Sequence, residues 1–146
     1  MKNLFTILFI SLFIFSCGEK NDNIIEKKKY YENGQVKDIK YYKNESKRFF
    51  KRIVYYENGQ IKKEGNYKKG IPHGKVVEFY KNGQLEIEKN YNNGKNIDPI
   101  WTQYYENGQI KIQGDLKDGV EHGEWVYYNK DGSIDYKEVW KYGKRK

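Results

Sequence analysis

Short runs of aromatic and aliphatic residues alternate with polar residues along most of the chain, and an Asn-Gly or Asp-Gly pair interrupts them at regular intervals. The repeated unit is two aromatic residues, then Glu or Lys, Asn, Gly and Gln, and it is clearest at residues 104–109. Further copies occupy residues 30–35, 55–60, 79–84 and, in a divergent form, 128–133. Their structural turn glycines are 25, 24, 25 and 24 residues apart, at Gly34, Gly59, Gly83, Gly108 and Gly132. So constant a period predicts a repeat protein with one β-hairpin in each repeat.

The Asn-Gly pair indicates the type of turn. Between two apolar runs it is typical of a two-residue type I′ turn, in which both turn residues have a positive φ angle. Such a turn places the second aromatic residue of each motif opposite the aliphatic residue that follows Gly-Gln. The expected pairs are Tyr56 with Ile61, Tyr80 with Leu85, and Tyr105 with Ile110.

Positions counted from the turn glycine define two expected faces of the sheet. Two residues after the glycine stand Val36, Ile61, Leu85, Ile110 and Ile134, and eight residues after it stand Tyr42, Tyr67, Tyr91, Leu116 and Trp140. Six residues is an even step along a strand, so both sets are expected on one apolar face. The opposite, wetter face is expected to carry the first aromatic residue of each motif: Tyr30, Tyr55, Phe79, Tyr104 and Tyr128.

A second series of glycines lies eleven residues beyond the first, at Gly70, Gly94, Gly119 and Gly143. The segments 70–74 and 119–123 read as longer loops that connect one hairpin to the next. Hydrophobic residues make up only 37% of the chain and charged residues 33%, which is little for a two-layer core. We therefore expect an all-β fold, an elongated single-layer antiparallel meander of about ten strands. A closed barrel is the main alternative, because it would leave no exposed edge.

The N-terminus differs from the rest of the chain. Lys2 precedes an almost unbroken apolar run at residues 4–15, and Ser16 and the single cysteine, Cys17, follow. Twelve residues are too few to span a bilayer but are typical of a secretion signal. The sequence thus predicts a signal peptide at 1–16, a tether at 17–29 and a repeat domain at 30–146.

Residues 14–17 resemble the lipobox of bacterial lipoproteins. The resemblance implies cleavage before Cys17, acylation of that cysteine, and a protein anchored to a membrane of the cell envelope. A plain secretory signal and an uncleaved anchor are the two alternatives.

The repeats resemble a known family. Gly119, His122, Gly123 and Trp125, with the matching set Gly70, His73 and Gly74, are similar to the bacterial variant of the MORN repeat. Proteins with the Tyr-Tyr-Glu-Asn-Gly-Gln motif are labelled YwqK-family antitoxins of toxin–antitoxin systems. The resemblance implies stacked hairpins that form a binding surface. Residues 96–99 depart from the His-Gly pattern, and Arg52 stands where Trp is expected.

The sequence offers little for catalysis. His73 and His122 occupy equivalent positions two repeats apart, too far from each other to share a metal ion, and are expected to be structural. Neither an enzyme activity, a metal site nor a cofactor is expected. Without Lys2 the chain has 27 basic and 20 acidic side chains, a net charge of about +7 that favours anionic partners.

The aromatic residues suggest a binding surface. A single-layer sheet leaves an apolar face uncovered, and such a face marks a site for a partner. The candidate binding residues are Tyr56, Tyr67, Tyr80, Tyr91, Trp101, Tyr105, Trp125 and Trp140. The expected function is a membrane-anchored scaffold that binds a protein. A glycan-binding module of the cell wall and a true antitoxin are the alternatives, and export argues against nucleic acid.

Overall fold

A computed structural model describes residues 23–43 and 47–146, and every regular element in these ranges is a β-strand. The strands are β1 (Ile24–Tyr30), β2 (Val36–Lys43), β3 (Lys51–Tyr55), β4 (Ile61–Lys68), β5 (Ile71–Phe79), β6 (Leu85–Asn92), β7 (Lys95–Asn96), β8 (Ile100–Tyr104), β9 (Ile110–Lys117), β10 (Val120–Tyr128), β11 (Ile134–Lys141) and β12 (Lys144–Arg145). In these ranges no helix has the length and hydrophobicity needed to cross a membrane.

The strands form one open antiparallel sheet in which neighbours in sequence are neighbours in space, while β7 pairs only with β6 and lies off this path. This confirms the all-β fold of stacked hairpins, with ten longer strands and the two-residue strands β7 and β12. The barrel alternative is wrong, because β1 and β12 lie at opposite ends of the strand order. The sheet starts at Ile24, inside the segment expected to be a tether.

The turn type expected at the Asn-Gly motifs is wrong. In the second repeat the Gly59 amide donates to the Tyr56 carbonyl at 3.0 Å, and the Tyr56 amide donates to the Gln60 carbonyl at 2.8 Å. Of the turn residues 57–59 only Gly59 has a positive φ, of 85°. This is the pattern of a three-residue loop, a type I turn followed by a glycine bulge. Ile61 therefore pairs with Tyr55 and not with Tyr56.

The same shift occurs in the other hairpins. Leu85 pairs with Phe79 and Ile110 pairs with Tyr104. A further irregularity in the register, between Val54 and Tyr55, adds one residue to β4 between Ile61 and Lys63. The even-step argument fails across this extra residue. As a result, the aliphatic residues two positions after the turn glycine lie on the same face as Tyr55 and its equivalents. The aromatic residues eight positions after that glycine lie on the other face.

The true type I′ turns follow β4, β6, β9 and β11. Both central residues have positive φ angles in Lys69-Gly70, Asn93-Gly94, Asp118-Gly119 and Tyr142-Gly143. In the first of these turns Lys68 pairs directly with Ile71, which leaves a two-residue loop. The expectation of longer loops is wrong, and His73 and His122 lie in β5 and β10.

All turns of one kind lie along the same edge of the sheet. We call the edge formed by residues 31–35, 56–60, 80–84, 105–109 and 129–133 the hairpin-turn edge. We call the edge formed by residues 68–71, 92–95, 117–120 and 141–144 the return-turn edge.

A ladder of hydrogen bonds joins successive repeats at the hairpin-turn edge. The hydroxyl of the second motif tyrosine donates to a backbone carbonyl one repeat ahead: Tyr31 to Tyr55 at 2.7 Å, Tyr56 to Phe79 at 2.8 Å, Tyr80 to Tyr104 at 2.7 Å and Tyr105 to Tyr128 at 2.7 Å. The Asn58 side-chain amide likewise donates to the Lys81 carbonyl at 2.9 Å. These bonds explain why Tyr and Asn recur with the period of the repeat.

The fifth repeat ends this ladder. Asn129 stands in place of the donating tyrosine, and Asp131 stands in place of the donating asparagine. Both side chains instead bind Ser133 within their own turn, with the Asp131 carboxylate accepting from the Ser133 amide at 2.9 Å. The last hairpin therefore works as a cap, as is usual for terminal repeats.

Few of the described apolar side chains are buried, and they lie on both faces of the sheet. Ile39 and Ile53 face each other across β2 and β3 on one face, while Val76, Ile87 and Trp125 lie on the other. The sheet is weakest at its middle, where β6 and β8 are joined by the single pair Ile87 and Gln103. The described part of the chain thus has no central core, and each hairpin is stabilised by its neighbours.

Candidate binding surface

The register places most of the candidate residues on one face. Trp101, Gly114 and Trp125 are directly opposite one another on β8, β9 and β10, and Gly123, on the same face as Trp125, is paired with Trp140. Across the middle junction, the same face continues through Ile87 and Lys89. We call this the aromatic face, and its candidate residues are Tyr67, Tyr91, Trp101, Trp125 and Trp140.

Trp125 lies at the centre of the aromatic face, and a glycine determines its position. Its indole rests directly against the backbone of Gly114, in the space that a Cβ atom would need. The indole nitrogen donates to the Asp115 carbonyl at 3.1 Å, and the residue is only 6% exposed. Trp125 is therefore part of the packed surface beneath any ligand and offers little area for contact.

Trp101 is the more accessible of the two central indoles. Its ring lies 6.3 Å from the ring of Trp125 and is half-buried. The Lys89 ammonium lies 4.0 Å from the ring centroid, within the range of a cation–π contact. Burial lowers the pKa of Lys89. This pair therefore places a cation against an indole ring that remains partly exposed.

Tyr67 and Tyr91 extend the surface towards the N-terminal repeats. Both are half-buried, and burial raises the pKa of the Tyr91 phenol. The ring of Tyr67 packs edge-on against Phe49, with centroids 4.8 Å apart. In the same half of the sheet, Arg52 stands at the repeat position that is equivalent to that of Trp101. It donates two hydrogen bonds, of 3.0 and 2.9 Å, to the carboxylate of the buried Asp38. The aromatic face is therefore more polar at this end.

The C-terminal end has a cluster that the sequence did not indicate. The rings of Tyr127 and Tyr136 stack with centroids 4.3 Å apart, and their planes differ by 11°. Glu138 accepts from Tyr127, Trp140 and Arg145 at 3.2, 3.1 and 2.9 Å. The Arg145 guanidinium, first among these donors, lowers the pKa of Glu138. Counting two residues from Trp125 and four from Trp140 along their strands would have placed both tyrosines on this face.

Three candidate residues lie elsewhere. Tyr56, Tyr80 and Tyr105 lie at the hairpin-turn edge, where their hydroxyls form the ladder between repeats. Burial raises the pKa of Tyr56 and of Tyr80. Their hydrogen bonds give these residues a role in holding the repeats together. Cys17 lies outside the described residues.

The histidines do not form a shared site. His73 accepts a hydrogen bond from the Asn93 amide at 3.3 Å, and His122 packs against Tyr142 with ring centroids 5.0 Å apart. Within the described ranges, no group of three or more His, Cys, Asp or Glu side chains is placed to hold a metal ion.

The open sheet, the constant hairpin period and the ladder between repeats define a single-layer β-hairpin repeat protein. The profile of the MORN repeat variant family matches residues 25–44, 51–69, 72–93 and 100–118, more than half of the chain. The protein therefore belongs to the MORN repeat variant family. A comparison of the sequence with curated proteins found no match.

Proposed function

We propose that the protein is an exported, lipid-anchored repeat scaffold that binds a protein partner through its aromatic face and carries out no catalysis. One observation carries this proposal: an open, single-layer sheet presents aromatic side chains from successive repeats on one face. Tyr91 and Trp101 are only half-buried, so part of each ring remains open to a partner, which supports a partner-binding role.

The contact area should centre on the middle of the aromatic face. Trp101 and Tyr91 are half-buried there, on the strands on either side of the junction between β6 and β8, with Lys89 between them. Trp and Tyr are among the side chains that supply most of the binding energy in protein interfaces. The ring of Trp125 lies beside that of Trp101, with centroids 6.3 Å apart.

Site-specific photocrosslinking in cells tests this proposal. A benzophenone side chain in place of Tyr91 should form an adduct with a discrete protein, and Trp101→Ala should remove most of that adduct. The matched control is the same probe in place of Tyr41, which is also half-buried but lies on the opposite face, across from Lys51. Equal adducts from both positions would contradict a specific aromatic face. An adduct with a co-encoded toxin would favour the antitoxin alternative, and retention on cell wall without protein adducts would favour glycan binding.

Lipid anchoring has its own test. The apolar run at 4–15 and the single cysteine support acylation of Cys17. Several acyl chains would anchor the protein without further membrane contacts. We expect the intact mass of membrane-extracted protein to correspond to residues 17–146 plus a lipid. A mass that includes residues 1–16, or an unmodified Cys17, would rule the anchor out.

A further inference from the structure

The two long edges of the sheet differ in chemistry. The four return turns contain six lysines and one acidic residue: Lys68, Lys69, Lys95, Lys117, Lys141 and Lys144, with Asp118. That single carboxylate lies 3.6 Å from the Lys95 ammonium. The hairpin-turn edge instead carries Glu32, Glu57, Glu106 and Asp131, with only Lys81 and Lys130 as cations. Positive charge is therefore concentrated along one edge.

The return-turn edge also exposes apolar side chains among its lysines. Fractional exposures at or beside this edge are 59% for Ile24, 49% for Ile71, 57% for Ile97, 39% for Val120 and 56% for Tyr142. Successive return turns are two strands apart, about 10 Å, so that the four turns form a line about 30 Å long. A row of lysines with interspersed aliphatic and aromatic side chains matches an anionic bilayer surface, where apolar groups enter the interface and ammonium groups meet phosphates.

The path of the chain points to the same edge. Ile24 pairs with Lys43 at the end of β2, so residue 23 leaves the sheet at the return-turn edge. Only seven positions separate Cys17 from Ile24, a reach of about 25 Å in an extended chain. The far ends of the strands lie about 25 to 30 Å away, at the hairpin-turn edge.

We infer that the return-turn edge lies against an anionic lipid bilayer, with the strands running away from the membrane and both sheet faces free. The inference rests on the proposed function, since the lipidated N-terminus would bring this edge to the membrane. It specifies which part of the scaffold meets the bilayer, and leaves the aromatic face open to a protein partner.

Fluorescence quenching by lipids tests this orientation. Full-length protein extracted from membranes is reconstituted into vesicles of phosphatidylglycerol and phosphatidylethanolamine. One variant carries an NBD label at Val120→Cys, at the return-turn edge, and its matched control carries the label at Lys81→Cys, at the hairpin-turn edge. Both side chains are exposed: Val120 is the first residue of β10, directly after its turn, and Lys81 lies in a hairpin turn. With nitroxide on the lipid headgroup, we expect at least threefold stronger quenching of the Val120 label. Equal quenching, or stronger quenching at position 81, would overturn the inference.

Charge variants test the contribution of the lysines. With the label at Val120, Lys68→Gln combined with Lys69→Gln should lower quenching at least twofold, as should vesicles of phosphatidylcholine alone. The control pair, Lys81→Gln with Lys130→Gln, should leave it unchanged. Quenching that stays the same after the lysine substitutions and in phosphatidylcholine vesicles would contradict an anionic lipid contact. A label that lipid does not quench but that added poly-L-glutamate shields would assign the edge to an acidic protein segment, and would also overturn the inference.

The anchor and the edge contact can fail separately. Protein that sediments with vesicles but shows equal quenching at both labels has an anchor without the orientation. Protein that is extracted unlipidated, yet shows quenching of the Val120 label on added vesicles, lacks the anchor and retains the edge contact. Protein that remains in the supernatant with neither label quenched would overturn both.

Discussion

At the scale of single residues, the aromatic face depends on two glycines that the turns do not need. Gly65 and Gly114 stand in the same position of alternate repeats, and each lies beneath a large side chain of the next strand. A Cβ at Gly65 would meet the Val76 side chain at 3.0 Å, and a Cβ at Gly114 would overlap the Trp125 indole. In a single-layer sheet this is how an apolar ring becomes buried: it lies flat on a neighbouring strand that has no side chain.

Replacing these glycines should therefore have unequal costs. We expect Gly114→Ala to destabilise the protein by about 3 kcal/mol, because the indole must move from its packed position, as in other overpacked sites. Gly65→Ala should cost about 1 kcal/mol, because small shifts of Val76 relieve a contact at 3.0 Å. Urea unfolding followed by circular dichroism measures both values. A smaller loss for Gly114→Ala than for Gly65→Ala would contradict the packing described for Trp125.

At the scale of elements, the hairpin turns and the return turns have different structural roles. The hairpin turns face solvent with polar side chains, and their tyrosines and asparagines bind the next repeat. The return turns are tighter and place an ordinary L-residue at positive φ, as at Lys69 with 54°. A lysine with a left-handed backbone conformation lowers the free energy of unfolding. Asparagine tolerates this conformation better, so it should restore part of the loss.

Lys69→Asn should consequently stabilise the protein by about 0.5 to 1 kcal/mol. The matched control is Lys81→Asn, which removes the same charge from a hairpin turn in which only Gly83 has a positive φ. That change should leave the free energy of unfolding unaltered within about 0.5 kcal/mol. Midpoints of urea unfolding at equal slope provide the comparison. Equal effects of the two substitutions would mean that the turn types are not as described.

The same turns show what sequence could and could not predict. The period of the glycines predicted the hairpins and the aromatic row of Tyr67 and Tyr91, because both depend on local spacing, while the low hydrophobic content predicted the single layer. Asn-Gly pointed to the wrong turn type because asparagine suits both kinds: its side-chain oxygen accepts the Gln60 amide at 3.2 Å within the hairpin turn. One extra residue near each turn then moved Ile61 and its equivalents to the other face. The sequence could not predict that Tyr80 links two repeats, because the carbonyl that accepts its hydrogen bond, that of Tyr104, is one repeat away.

At the scale of the whole molecule, stability is a sum of contacts between neighbouring hairpins, since in residues 23–43 and 47–146 no core joins distant repeats. The weakest contact is the junction between β6 and β8, with one residue pair in register. Side chains reinforce it: the Tyr80 hydroxyl donates to the Tyr104 carbonyl at 2.7 Å, and the Asn82 amide donates to the Glu106 carbonyl at 2.9 Å. Nearer the other end of β6, the backbone amide and the side-chain amide of Asn90 donate to the Asp98 carboxylate at 2.7 and 2.8 Å. The two halves of the sheet are therefore coupled by side chains more than by backbone pairing.

This coupling predicts unfolding in two steps. All three tryptophans lie C-terminal to the junction, at positions 101, 125 and 140, so tryptophan fluorescence reports on that half, while far-ultraviolet circular dichroism reports on both. We expect the two transitions in urea to differ in midpoint, which a two-state protein would not show. Tyr80→Phe removes a hydrogen bond across the junction, worth about 1 kcal/mol, and should widen the difference. Tyr56→Phe removes the equivalent hydrogen bond within the N-terminal half. It should lower the unfolding midpoint of that half alone and leave the fluorescence midpoint unchanged. Coincident transitions in the wild type, or equal shifts of the fluorescence midpoint by both substitutions, would show that the junction is as cooperative as the rest of the sheet.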